Sequence, residues 1–337
     1  MSLVAEAGVS DMDGLSGGRA AACLLSGFGA VLFILLMVFC GAARAKGQAL
    51  VEDGQIRTLQ NNLRAATEEH ASPEQLGVLW LSLGIRYQNG FDYDKAEDAY
   101  THAIRLLRNT ALKAHYADSL HKLAEIYVME SREKEVLNND AQALAIFEEL
   151  GDTRSVASVR STSAMGLLRE HKFREADAEA SRALAVMGTL DKPDRVDLEN
   201  TYITRARALA AEGRLQAALE DVAHARAIAT GDPGSNDVDA ISTLLVQGEV
   251  QMQAGMEAEG KQSMTEALRL ARSLTGLPPV TSAALEASIL EREVASLRKA
   301  HHNDDAKLLE GEMKQAQSAA RAGCSRCTVS VSSLLSQ

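Results

Sequence analysis

The feature that most constrains this chain is a skeleton of small residues that returns at near-constant spacing. Gly84, Ala124, Ala164, Ala206 and Gly248 are separated by 40, 40, 42 and 42 residues. In four of the five cases a second small residue follows 12 positions later (Ala96, Ala176, Ala218, Gly260). It is succeeded at steps of four and three by Tyr100 and Ala103, Ala180 and Ala183, Val222 and Ala225, or Met264 and Ala267. Those steps hold one face of an α-helix, so each unit predicts two helices, A and B, whose backbones approach where the small residues meet. A chain built this way buries its core between neighbouring units. The second unit departs from the pattern. Leu120, Leu123, Ala124 and Tyr127 fit helix A, but the helix B series is next met at Ala143, Phe147 and Leu150, 19 residues after Ala124 instead of 12. That predicts seven extra residues, about two helical turns, in helix A or its loop within the charged stretch 130–140.

Proline and composition agree with an all-α reading. Pro73, Pro193, Pro233, Pro278 and Pro279 all fall between units, as helical units require, because proline inside a helix costs ~3 kcal/mol. Ser72-Pro73-Glu74 reads as a cap, a first-turn proline and a first-turn acid, and Gly231 to Asn236 reads as a loop. The chain is 46% apolar yet only 4% aromatic, with one Trp. Such an Ala-rich core suits closely stacked helices and not a β-sandwich. The organisation that follows is a capping helix within residues 46–72, where Gly54, Ile56, Leu59, Leu63 and Ala66 share a face, then five units over 73–280. A degenerate sixth unit or C-terminal cap over 281–323, with Val294, Leu297 and Ala306, precedes a tail at 324–337.

Residues 1–45 form a separate segment. The run from Ala20 to Ala43 is broken only by Ser26 and is flanked by Arg19, Arg44 and Lys46, long enough to cross hydrocarbon, which takes ~20 apolar residues. Its end, Ala43-Arg44-Ala45, also has the small-x-small form of a signal-peptidase site. Two outcomes are open: a cleaved signal peptide and an exported, periplasmic body, or an anchor in the inner membrane, with residues 20–43 as the only membrane contact. No cysteine lies between residues 46 and 323, which suits an oxidising compartment. Cys324 and Cys327 stand in CxxC spacing as a disulfide candidate, since structural zinc needs four ligands. His301-His302-Asn303-Asp304-Asp305 reads as a polar turn. Neither metal nor cofactor is expected, and no nucleophile elbow, P-loop, dinucleotide fingerprint or zincin motif occurs. A net charge of −11 without a basic run argues against nucleic acid.

Trp80, Leu83, Gly84, Tyr87, Ala96, Tyr100 and Ala103 together resemble a full tetratricopeptide repeat (TPR), and the other units resemble diverged copies. The 40–42 residue period is similar to the long, kinesin-light-chain-like type. The resemblance implies a right-handed α-solenoid with a concave groove lined by the A helices, acting as a bacterial scaffold that binds a protein or peptide partner without catalysis. Positions turned ~100° from the packing side are then the groove candidates: Leu81, Ile85, Gln88, Asp118, His121, Lys122, Glu125, Ser161, Met165, Arg169, Asn200, Ile203, Thr204, Arg207, Leu245, Glu249 and Met252. The family's known ligand-binding patterns do not carry over. Leu81, Ile85, Ser158 and Thr162 stand where a Lys/Asn/Arg carboxylate clamp is expected. Ser82, Lys122, Thr162, Thr204 and Val246 stand where the long-period type offers asparagine. A second reading is an envelope sensor that responds to a small ligand or to redox state through the groove or the CxxC.

Overall fold

The structure, a computed structural model, describes residues 54–90, 92–230, 237–275 and 279–322. The apolar run 20–43, the cleavage pattern, the loop 231–236, Cys324, Cys327 and the tail lie outside the described residues. Among the described residues there are thirteen α-helices and no strand. Helix α1 covers 54–68. The A helices are α2 (Pro73–Asn89), α4 (Lys113–Met129), α6 (Thr153–Arg169), α8 (Arg195–Ala211), α10 (Asp237–Gln253) and α12 (Pro279–Lys299). The B helices are α3 (Tyr93–Leu107), α5 (Glu133–Leu150), α7 (Phe173–Met187), α9 (Leu215–Thr230), α11 (Glu257–Ser273) and α13 (Asn303–Ala322). No described helix is long and apolar enough to cross a membrane.

Local sequence sets the helix ends. Ser72 closes a capping box with Gln75, and Pro73 occupies the first turn of α2, where its missing N–H costs nothing. Asp194, directly after Pro193, caps α8 by accepting from the Val196 and Asp197 amides at 2.9 and 3.1 Å. The A-to-B turns of the second to sixth units each carry one left-handed residue, with φ of 56° at Ser131, 59° at His171, 77° at Gly213 and Gly255, and 65° at His301. This conformation lets the chain turn back within three residues, and the Arg214 amide then closes onto the Leu209 carbonyl at 2.9 Å.

The small residues lie where helices A and B cross. Ala124, Ala164 and Ala206 are fully buried, as are Ala96, Ala176 and Ala218. At Gly84 a Cβ would stand 2.5 Å from the Tyr100 ring, and at Gly248 it would meet the Met264 side chain at 2.6 Å and the Gly260 carbonyl at 2.9 Å. Glycine therefore makes room for the two largest B-helix residues in this column. Helix α1 lays Ile56, Leu59 and Leu63 on the first unit's core, and Gln60 Nε2 donates to the Tyr87 hydroxyl at 2.8 Å. At the other end Val294 and Ala306, again 12 apart, are buried together with Leu297.

The expected seven-residue insertion in the second unit is not present. Helix α4 ends at Met129 and α5 begins at Glu133, so the turn is as short as in the other units. Val136 and Asp140 occupy the places 12 and 16 residues after Ala124, both at 0% exposure, and Ala143 is the third member of the column. The register was hidden because an acid fills an interior position. It is tolerated there because His121 Nδ1 lies 3.0 Å from Asp140 Oδ1 and Ser163 Oγ donates to Asp140 Oδ2 at 3.1 Å.

Successive A helices touch along the whole series, α2 to α4 through α10 to α12, whereas successive B helices make no comparable contact. The B side is splayed and the A side drawn in, which makes the A-helix surface the concave face.

Candidate functional site

Two clefts follow one another on that face. The first, of about 480 Å³, is bounded by Gln88, Tyr93, Glu125, Met165, Asp197 and Asn200. The second, of about 570 Å³, is bounded among others by Glu133, Arg169, Arg207, Glu249, Arg292 and Lys299. Both use α6 and α8. Thr162 and Met165 face the first cleft and Leu168 and Arg169 the second, while α8 passes from Asp197 and Asn200 to Arg207 and Ala211.

In the first cleft most polar groups are engaged with one another. The Tyr100 hydroxyl donates to Gln88 Oε1 at 2.5 Å, Gln88 Nε2 donates to Glu125 Oε2 at 2.8 Å, and Lys122 Nζ donates to Glu125 Oε1 at 2.7 Å. Burial alone would raise the Glu125 pKa, but the Lys122 and His121 charges and these hydrogen bonds hold it below the usual carboxylate range. Burial likewise opposes the Lys122 charge, and Glu125 overcomes it, lifting the amine above its ordinary value. Asp197, which borders this cleft, behaves differently, as does Asp118 on α4 outside its lining: burial is the largest influence on each and raises both carboxyls. Asn200, half-buried at the edge of the cleft, has no hydrogen-bond partner among the described residues.

The second cleft is cationic. Arg292 grips Glu249 through Nε at 2.6 Å and a second guanidinium nitrogen at 2.9 Å, which draws the Glu249 carboxyl below its usual range against its burial. Arg169 donates to Ser131 Oγ at 3.1 Å. Arg207 stands between them and makes neither a hydrogen bond nor an ion pair with any described residue. Burial, then the like charges of Arg292 and Arg169, push its pKa down, and Glu249 only partly compensates. Lys299 adds a fourth cation on the same wall.

Ile85, half-buried, packs against the first unit's core. Seven of the groove candidates, Leu81, His121, Ser161, Ile203, Thr204, Leu245 and Met252, are buried instead of facing open space. His121 is 4% exposed and Thr204 is 3% exposed. His121 is turned into the helix contact by its bond to Asp140, with Nε2 3.2 Å from Ser158 Oγ, and Thr204 is covered where α6 and α10 press on α8. Conversely, Asp197, Arg292 and Lys299 belong to the clefts without having been candidates. Lys299 follows Val294 by five residues, as Arg169 follows Ala164, so extending the register into the sixth unit would have found it. Of the cluster at 301–305, His301 and His302 form the turn between α12 and α13.

No family model matches the chain, and no curated protein matches it. Solved structures do. A tetratricopeptide repeat protein from Parabacteroides merdae superposes with a TM-score of 0.51 at 13% identity, over 81% of this chain and 96% of that one. The apo form of RapI gives 0.62 at 12% identity, over 82% and 97%. NprR in complex with its cognate peptide NprX gives 0.59 at 15% identity, over 84% and 79%. With its helix pairs crossing at a fixed column of small residues and its A helices drawn together on one face, the chain has a tetratricopeptide-type helical repeat fold, an all-α solenoid.

Proposed function

We propose that this protein is a binding scaffold that holds a peptide, or an extended segment of a partner protein, in the groove formed by its A helices, with no catalysis of its own. The observation that carries the reading is the stripe on α8. Asn200 and Arg207, seven residues apart and thus on one helix face, border the two clefts and leave their hydrogen-bonding capacity unspent, whereas Gln88, Glu125, Arg169, Glu249 and Arg292 are hydrogen-bonded. An amide with both donor and acceptor suits a ligand backbone, and a guanidinium suits a carboxylate. A solved neighbour of the same fold that carries its cognate peptide lends support. Selection of a random dodecapeptide library on the full-length protein should enrich binders, and the Asn200→Ala/Arg207→Ala double variant should lose at least tenfold of that recovery. Equal recovery on both proteins would remove the groove from the reading.

The body is further proposed to work outside the cytoplasm, exported or tethered through residues 20–43. The apolar run and the Ala43-Arg44-Ala45 pattern support this. Sequencing the N-terminus of the native protein is the test: a start at Lys46 fixes export, an intact segment in the membrane fraction fixes the anchor, and an intact segment in the soluble fraction refutes both.

A further inference from the structure

On the convex side, away from the groove, the splayed helices leave furrows over the A helices, and most of these are strapped shut by an arginine. Over α4, Arg132 donates to Glu97 of α3 at 2.8 Å, and its guanidinium covers the Tyr127 ring 3.8 Å from the centre. Over α6, Arg160 donates to Glu148 of α5 at 2.7 Å and to Glu179 of α7 at 2.8 Å. Over α8, Arg205 donates twice to Asp221 of α9 at 2.7 Å and to Ser181 of α7 at 3.3 Å. Over α12, Arg272 of α11 donates to Glu312 of α13 at 2.9 Å. The furrow over α2, between α1 and α3, has no arginine strap among the described residues. Asp92 stands eight residues after Gly84, where the second unit has Arg132 eight residues after Ala124. The result is an open cleft of about 760 Å³, larger than either cleft of the groove. Its floor is apolar: Leu83 and Tyr87 are buried, and half-buried Trp80 stacks on His102 with ring centres 4.3 Å apart. Arg64 and Glu68 of α1 line one wall and make neither a hydrogen bond nor an ion pair with any described residue. Lys95 and Asp98 of α3 line the other, drawn back onto Asp92 at 2.5 Å and His102 at 3.6 Å.

The two walls run the same way. Gln60 of α1 and Lys95 of α3 both meet Tyr87, whereas Asp98 adjoins His102 and hence Trp80. On each wall the cation lies nearer Tyr87 and the acid nearer Trp80, so the furrow is apolar along its floor and carries opposite charges toward its two ends. From Gln60 to Glu68 it follows eight residues of α1, about 12 Å at ~1.5 Å per residue, or two helical turns. Floor and walls are helices whose backbone groups are already paired, so an extended segment would bring unpaired amides onto apolar side chains. A helix carries its backbone bonds internally and can lay an i, i+3, i+7 stripe on Trp80, Leu83 and Tyr87. We infer that this furrow is a second binding surface, independent of the groove, and that its occupant is a short amphipathic helix of a partner protein. The helix presents an apolar stripe to the floor, an acidic flank to Arg64 and Lys95, and a basic flank about one turn away to Glu68 and Asp98.

The test uses the full-length protein, whose single tryptophan, Trp80, reports on this furrow directly. The probe is a library of stapled helical dodecapeptides without Trp, with Leu, Ile or Phe at i, i+3 and i+7 and with Glu, Lys or Ser at the flanking positions. Enriched peptides should carry an acid and a base about one turn apart and should shift the Trp80 emission on binding. The variant Arg64→Glu/Glu68→Arg/Lys95→Glu/Asp98→Lys reverses the charge order at four exposed positions. Its thermal midpoint should stay within a few degrees of the parent's, because exposed ion pairs contribute little. It should bind those peptides at least tenfold more weakly and should regain affinity for versions with acid and base exchanged. Affinity unchanged by the reversal, or no enrichment of any helical peptide, overturns the inference and leaves the groove reading untouched. Binding lost in Asn200→Ala/Arg207→Ala but kept in the reversed variant would place these peptides in the groove and overturn it too. A Trp80 emission that shifts with protein concentration alone would give the furrow to a second copy of this chain, which is likewise a refutation.

Discussion

The first and second units have the same register and opposite interiors. Sixteen residues after the small anchor of helix A, the first unit places Tyr100, whose ring fills the space left by Gly84, and the second places Asp140, fully buried and hydrogen-bonded to His121 and Ser163. One interface is an apolar knob in a glycine notch. The other is a polar pair that needs every partner in place. Both fit the same helix crossing, which shows that the solenoid is specified by backbone approach at the small residues, and that what fills the remaining column is free to vary as long as it is satisfied. The difference reaches the groove, because His121 also lies 3.4 Å from Glu125, and through Glu125 the buried pair connects to Lys122 and Gln88 on the cleft wall.

The comparison can be broken most severely at Asp140. Asp140→Ala strands His121 in the interior and should cost about 3–5 kcal/mol, the range for removing one member of a buried pair, measured by urea unfolding. Replacing both members, His121→Leu with Asp140→Val, makes the second unit resemble the others and should restore most of that loss, since an apolar replacement of a buried pair is often neutral or stabilising. If the double variant is as unstable as the single one, the pair is not what matters. On the other side of the comparison, Gly84→Ala drives a methyl group into the Tyr100 ring and should cost about 1–3 kcal/mol by overpacking, with Gly84→Ala/Tyr100→Leu recovering part of it.

A finer test is pH. Burial alone would lower the His121 pKa, but the hydrogen bond and charge of Asp140, with Glu125 behind them, raise it above its ordinary value despite Lys122 nearby. A histidine with a raised folded pKa contributes stability that is complete below ~6.5, its unfolded value. That contribution is lost as pH climbs through the raised folded value. The thermal midpoint should therefore decline over that window on the alkaline side of 6.5, and the decline should flatten in the His121→Leu/Asp140→Val variant. A parent midpoint that stays level across the window would show that the pair does not take up its proton on folding.

Much of the fold was legible because helix–helix crossing leaves a one-dimensional trace. Small residues 12 apart, then steps of four and three, report the approach of two backbones, and prolines mark where helices cannot run. The trace failed at Val136 and Asp140, since a buried acid looks like a surface residue until its partner is known, and His121 is 19 positions away in sequence. The candidate site was legible only in part. The column one residue after each anchor did supply Ile85, Glu125, Met165, Arg207 and Glu249. Periodicity cannot tell which of its neighbours are covered by an adjacent helix, as Thr204 is, or neutralised across the groove, as Glu249 is by Arg292.

What the sequence by itself determined is the repeat, its register and the all-α solenoid, because those depend on backbone geometry that small residues, prolines and helical periodicity encode locally. What only the tertiary structure decided is which charges are already satisfied. Arg169, Arg207 and Arg292 are equivalent cations in the chain. Packing three A helices together gives one of them a hydroxyl, another a carboxylate, and leaves Arg207 with no ion pair to a described residue and only a partial offset from Glu249, because ion pairing is set by distances across the superhelix and not by position along the chain.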